Sequence, residues 1–230
     1  MSLKPQGLTA CDGPLCGQLE VAQTDALRAL SWEDLLRRFS VGVEWFDPRL
    51  FHLAEADMDL AFDPRAGCGR WPIRALAAHL ADAEMVWLHR IRQAISEDRP
   101  MLGMFDYEAF IDGPLYGPGT RKDAVSPPVA GSIAVVHTLR RWTLDWLWDL
   151  AEGGRDRLAL HPEHGELSVR GMLATTTWHL EHHADFLNRK IVHLAGPLPD
   201  PAEAVREPCG PACGCASRAA APGATHDAGT

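Results

Sequence analysis

Eleven histidines are distributed through the 230-residue chain, and three of them, His179, His182 and His183, fall within five positions of the stretch TTTWHLEHHADF. Residues three or four apart share one face of a helix, so His179 pairs either with His183 or with His182. Convergent neutral imidazoles are what a transition metal requires. A lone pair at this spacing would suit an ordinary polar helix face. Three histidines so close together, among apolar residues, favour a metal. The pattern is not that of the zinc proteases, in which a Glu directly follows the first His. Glu181 lies two positions after His179, roughly 200° around a helix, and is expected to be a solvated charge.

A further ligand must come from another segment. His79, in WPIRALAAHLADAEMVW, stands beside an apolar stripe and is the best candidate. Asp82, one turn on, is a candidate to orient a ligand or a bound water from behind, with a helix-surface carboxylate as the equal alternative. Arg90 follows His79 by eleven residues, close to the same face. It is placed to meet an anionic substrate, although a surface salt bridge is the more ordinary use of such a residue. His161 and His164, in HPEHGE, read as loop or cap residues. Three imidazoles leave coordination positions open, as in catalytic zinc sites. The spacing therefore supports a metal-activated nucleophile, water or thiol, without choosing between them.

The elements that must carry these residues are helices. Ser31 and Asp34 form a capping pattern that opens a helix through about Trp45, with Leu35, Leu36, Phe39 and Val43 at helical spacing. Asp47-Pro48 breaks it and starts a short helix. A second long helix follows Trp71-Pro72, with Ile73, Leu76, Leu80, Ala83, Trp87 and Ile91 as its stripe, and frays before Pro100. A third runs from about Ser132 to Glu152. There Trp142 and Trp146 are expected in core or interface packing, and Gly153-Gly154 ends the helix. The fourth runs from about Ser168 to Leu194. No alternating strand, internal repeat or glycine-rich phosphate loop is evident. The expected fold is all-α, a four-helix bundle whose sites are built from side chains on facing helices. A long crossover over about 98–130 joins the second and third helices.

Composition bounds the rest. The chain is 46% hydrophobic and 23% charged, with 22 basic against 31 acidic residues and a formal charge of -9. No Lys/Arg block suggests a nucleic-acid surface. No apolar run approaches the roughly 20 residues that span a bilayer, and the amino terminus lacks the apolar stretch of a signal peptide. A cytoplasmic location is expected. Residues 1–20 read as an arm and 21–196 as the metal-binding bundle. Residues 197–230 hold 19 Pro, Gly or Ala and read as a disordered tail. Of six cysteines, Cys209, Cys213 and Cys215 cluster in that tail. They could hold a soft metal, with Cys11 and Cys16 completing the site. An accessible thiol tail with no metal is the equal alternative.

Taken together, GRWPIRALAAHLADAEMVWLHRIRQAISEDRP, HPEHGELSVRGML and TWHLEHHADFL resemble the DinB/YfiT-like superfamily, in order and spacing over most of residues 32–194. The resemblance implies a four-helix bundle with a divalent metal, zinc or nickel, held by His79, His179 and His183, with His182 as a neighbouring non-ligand. Where many YfiT-like proteins place one further His, three positions after the last ligand, this chain has Phe186. Relatives include S-transferases that use bacillithiol or mycothiol, a thiol-dependent maleylpyruvate isomerase, and the metal-binding domains of sulfoxide synthases. Many others are called metal-dependent hydrolases. The implied function is a metal-dependent enzyme that activates a low-molecular-weight thiol (S-transferase) or water (hydrolase) against a small-molecule electrophile, as a homodimer. The competing reading from the residues is a metal-handling protein that works through its cysteine tail. A bundle whose histidines serve only packing is the third.

Overall fold

A computed structural model describes residues 23–116 and 126–198. The arm expected over residues 1–20, the three tail cysteines, and Cys11 and Cys16 lie outside the described residues.

Four helices make the bundle. A short α1 (Thr24–Arg28) leads into α2 (Trp32–Val41), which Ser31 caps by accepting the Asp34 N–H at 3.0 Å. The helix tightens into a 3-10 turn over Gly42–Trp45. Gly42 has φ +52°, and a Cβ there would lie 3.2 Å from Cδ of Arg140. The bend therefore needs both the left-handed backbone and the missing side chain. The second bundle helix, α3 (Ile73–Ser96), starts directly after Pro72. The crossover contains a one-and-a-half-turn helix, α4 (Tyr107–Asp112). The third and fourth bundle helices are α5 (Val129–Leu147) and α7 (Val169–Ala195), with a single turn, α6 (Glu152–Arg155), after α5. Ser168 caps α7 by accepting the Gly171 N–H at 3.0 Å.

The apolar stripes meet inside. One cluster joins Leu76 and Leu80 of α3 to Val136 of α5 and Leu180 and Leu187 of α7. The other joins Leu35, Leu36 and Phe39 of α2 to Leu88, Ile91, Leu144, Leu147 and Leu173. Each such side chain contributes roughly 1.5–3 kcal/mol on burial, well above the ~1 kcal/mol of a helix cap. The stripes therefore hold the bundle, and the caps set where the helices start. Trp142 is not a core residue: it is exposed, with the Arg92 guanidinium 4.4 Å from its ring centre.

A second departure is a hairpin. β1 (Leu158–His161) pairs antiparallel with β2 (Gly165–Ser168) just before α7. Four residues per strand are too few for a period-2 pattern to stand out in sequence. The crossover docks on this hairpin: Leu160 N–H donates to Pro100 O, and Leu102 N–H to Leu160 O, both at 2.8 Å. Beyond that anchor the crossover lies against α3, where Gly103 O accepts from Nη2 of Arg90 at 2.6 Å. No helix among the described residues is long and apolar enough to cross a membrane.

Candidate metal centre

The α3 stripe turns His79 inward, where it is buried, while α7 presents His179 and His183 one turn apart on the facing side. Each of the three offers a ring nitrogen within 4.8 Å of the other two. Nε2 of His79 and Nε2 of His179 are 3.1 Å apart, inside the roughly 4 Å that two ligands of one ion can span. Trp71 closes one side, edge-on to His79 with ring centres 5.2 Å apart and stacked on His183 at 6.1 Å. Tyr107, delivered by the crossover, stands edge-on to His79 at 6.0 Å.

Burial sets the electrostatics. Desolvation lowers the His79 pKa to about 4. At His183 desolvation, reinforced by neighbouring cationic groups, lowers it to about 3. His179 is part-open to the cavity but enclosed by protein elsewhere, and is pushed well below the usual imidazole value for the same reason. All three rings are neutral at pH 7, the state in which an imidazole can ligate a metal.

The donor set fits a divalent ion. A hydrogen bond between His79 and His179 would account for those two rings alone. It leaves His183 unexplained, although a nitrogen of that ring also lies within 4.8 Å of one in each of the other two, and three neutral imidazoles are a donor set that suits zinc or nickel.

The structure separates the remaining candidates. His182 lies beside the cluster, stacked on Trp178 at 4.9 Å, edge-on to Phe186 at 4.8 Å and edge-on to His183 at 5.2 Å, but its nitrogens are not among those that converge. Asp82 does not orient His79: its carboxylate accepts the Tyr116 hydroxyl instead, because the crossover folds Tyr116 onto that side of α3. Glu181 is no solvated charge. It is buried and paired with Arg38 by two hydrogen bonds of 2.6 and 2.9 Å, since the side of α7 away from the cluster packs against α2. Cys209, Cys213 and Cys215 lie outside the described residues.

A cavity of about 460 Å³ opens onto the cluster. His79, His179 and His183 form one part of its wall, and Trp87, Arg90 and His161 form another. Of the two uses the sequence left open for Arg90, the surface salt bridge is excluded because the residue is buried in the cavity wall, and His161, read as a loop or cap residue, is buried there too. Trp178, beside His179, walls the cavity as its position suggested. Trp71 and Tyr107 were missed. Their only sequence signal was proximity, in Trp71's case to the start of the helix that carries His79.

Comparison with known proteins agrees with this architecture. A family model described as the DinB superfamily matches residues 18–187, which span all three histidines. Two proteins of Oceanobacillus iheyensis, each named "putative metal-dependent hydrolase", are 29% identical over 132 residues (56% of this chain, 69% of the relative) and 27% identical over 146 residues (61% and 80%). YfiT of Bacillus subtilis, with the same printed description, is 27% identical over 137 residues, 59% of this chain and 72% of YfiT. A solved structure of Bacillus subtilis YfiT, described as having "an unusual four-helix bundle topology", superposes with a TM-score of 0.61 at 18% identity, over 74% of this chain and 92% of that one. The likeness in fold and a family match running through both histidine-bearing helices lead to one assignment: the chain belongs to the DinB superfamily.

Proposed function

We propose that this protein is a metal-dependent enzyme in which His79, His179 and His183 hold one divalent ion, zinc or nickel, and the adjoining cavity brings a low-molecular-weight thiol together with a small-molecule electrophile. The observation that carries the reading is the set of three neutral, converging imidazoles at the wall of an open cavity. An ion held there acts as a Lewis acid and lowers the pKa of a coordinated thiol or water.

The chain's own groups favour the thiol. Among the described residues the cavity wall has one carboxylate, Glu163, and it is exposed on the hairpin turn. His182, the cavity histidine beside the cluster, has its pKa lowered by desolvation, which weakens it as a base. A bound ion would lower the pKa of either nucleophile, but hydrolysis also needs a group to protonate its leaving group, whereas thiolate substitution that expels a stable anion needs none. Trp71, Trp178 and Tyr107 supply apolar wall against which a small electrophile can pack. The relatives' names point to hydrolysis, in which water takes the thiol's place at the same centre.

The test is a metal-dependent conjugation assay with cysteine or cysteamine as thiol and 1-chloro-2,4-dinitrobenzene as electrophile, run beside p-nitrophenyl acetate hydrolysis. The expected result is conjugation that requires zinc or nickel and falls at least ~100-fold in His183→Ala, with ester hydrolysis near background. Metal-dependent hydrolysis without conjugation would move the assignment to a hydrolase. Rates indifferent to metal and to His183 would remove it.

A further inference from the structure

Arg90 differs from every other buried arginine in how little holds it. Its side chain is 5% exposed. One Nη2 hydrogen bond, to Gly103 O at 2.6 Å, is its sole hydrogen bond among the described residues, and no carboxylate pairs with it there. The Trp87 ring lies 4.9 Å from its guanidinium carbon and sets the plane of the group. A guanidinium carries five N–H donors, so most of these have no protein acceptor, while the side chain forms part of the wall of the cavity that holds the three histidines. None of its unbonded nitrogens is fully enclosed by protein, so they are completed by what the cavity holds, and an anion is held there more strongly than water because the hydrogen bonds are charge-assisted.

His161 stands next to it. Its Nδ1 accepts the backbone N–H groups of Glu163 at 3.2 Å and His164 at 3.3 Å. In the neutral ring this leaves the proton on Nε2, a second donor on the same wall. Burial and the nearby Arg90 charge both lower the His161 pKa, which keeps the ring neutral.

We infer that Arg90, assisted by His161, is the specificity-determining residue of this cavity and seats the carboxylate of a small monoanionic substrate whose reacting end faces His79, His179 and His183. The inference rests on the reading of those histidines as the reactive end. A carboxylate matches the guanidinium fork in two parallel hydrogen bonds. A dianion would meet one cation only, with the Glu163 carboxylate close by on the hairpin turn. Arg90 is reached from α3 and His161 from the hairpin, and the crossover that supplies Gly103 is itself tied to that hairpin through Leu160. The seat is thus assembled by the same contacts that form the cavity.

The experiment is titration calorimetry on the metal-loaded full chain with benzoate, its neutral isostere benzamide, and phenyl phosphate. The same titrations are run on Arg90→Met and Arg90→Lys, with metal content and melting temperature measured on each sample. Benzoate is expected to bind at least ~10-fold more tightly than benzamide. Arg90→Met should abolish that preference and Arg90→Lys should retain part of it, with metal content unchanged in both. Absence of benzoate binding, equal affinity for benzoate and benzamide, or a preference that survives in Arg90→Met would overturn the assignment. Tighter binding of phenyl phosphate than of benzoate would overturn the choice of a carboxylate. The two readings fail separately: an Arg90-dependent preference in a chain that holds no metal leaves the anion seat standing without the metal centre, and a metal-bearing chain with no preference does the reverse.

Discussion

Two of the buried polar clusters among the described residues are built on opposite plans. At the first, Arg140 of α5 makes hydrogen bonds of 2.9 and 3.1 Å to the Glu84 carboxylate of α3, 2.8 Å to Thr176 O of α7 and 3.2 Å to Phe39 O of α2. The Phe39 ring lies 4.5 Å from its guanidinium carbon. One side chain thus ties all four bundle helices, with its hydrogen-bonding capacity largely used. At the second, Arg90 has one acceptor, and His79 and His183 keep buried Nδ1 atoms with none. The satisfied cluster fixes how the helices meet. The unsatisfied one borders the cavity, where the converging ring nitrogens would hold a metal and the spare guanidinium donors would meet an anionic substrate.

The comparison breaks most visibly at Arg140. Arg140→Met strands the Glu84 carboxylate in the core and should cost about 3–5 kcal/mol, read as a lowered denaturant midpoint. Adding Glu84→Leu should return most of the loss, because a buried pair replaced as a unit is close to neutral. If the single variant were as stable as the parent, the tie would be ornamental.

Acid should act on the other cluster. The unfolded chain's histidines titrate near 6.5, whereas burial lowers His79 to about 4 and His183 to about 3 in the folded protein. Folded values below unfolded ones mean that the unfolded state binds protons first as pH falls. Stability present above about pH 6.5 is therefore lost progressively on the way down through pH 4 and 3. For metal-free protein the loss at pH 5 should be about 1–2 kcal/mol for each of these histidines. Urea denaturation at pH 7 and pH 5 measures it, and a His79→Phe/His183→Leu double variant should show a flatter profile. An identical pH dependence would mean that these rings are not buried neutral.

Smaller effects sharpen the contrast. Ser31→Ala removes the α2 cap and should cost ~1 kcal/mol, with metal binding unchanged. Arg90→Met should change stability by less than ~1 kcal/mol, because it breaks one hydrogen bond and removes a charge with no carboxylate partner. A loss comparable to that of Arg140→Met would show Arg90 to be a structural residue.

Much of this was legible in the sequence, for identifiable reasons. The four bundle helices follow from stripes of 3.6-residue period and from Ser31, Pro72 and Ser168 at their starts, whereas for the histidine cluster the spacing left His179 paired with either His182 or His183, and the family resemblance chose His183. What escaped depends on long-range packing. Glu181 reads as exposed until Arg38, 143 residues away, is seen to cover it. Asp82 reads as a neighbour of His79 until Tyr116 arrives from the crossover to claim it. Arg90 and His161 join one cavity because a segment with no periodicity docks on a hairpin of two four-residue strands.

The most direct test of the central claim is metal content per chain, by elemental mass spectrometry on protein purified without an affinity tag, for the parent and for a His79→Ala/His179→Ala/His183→Ala triple variant. About one zinc or nickel per parent chain, absent from the triple variant while its helical content is kept, is the predicted result. Metal retained by the triple variant, or none in the parent even after incubation with zinc and nickel, would contradict it.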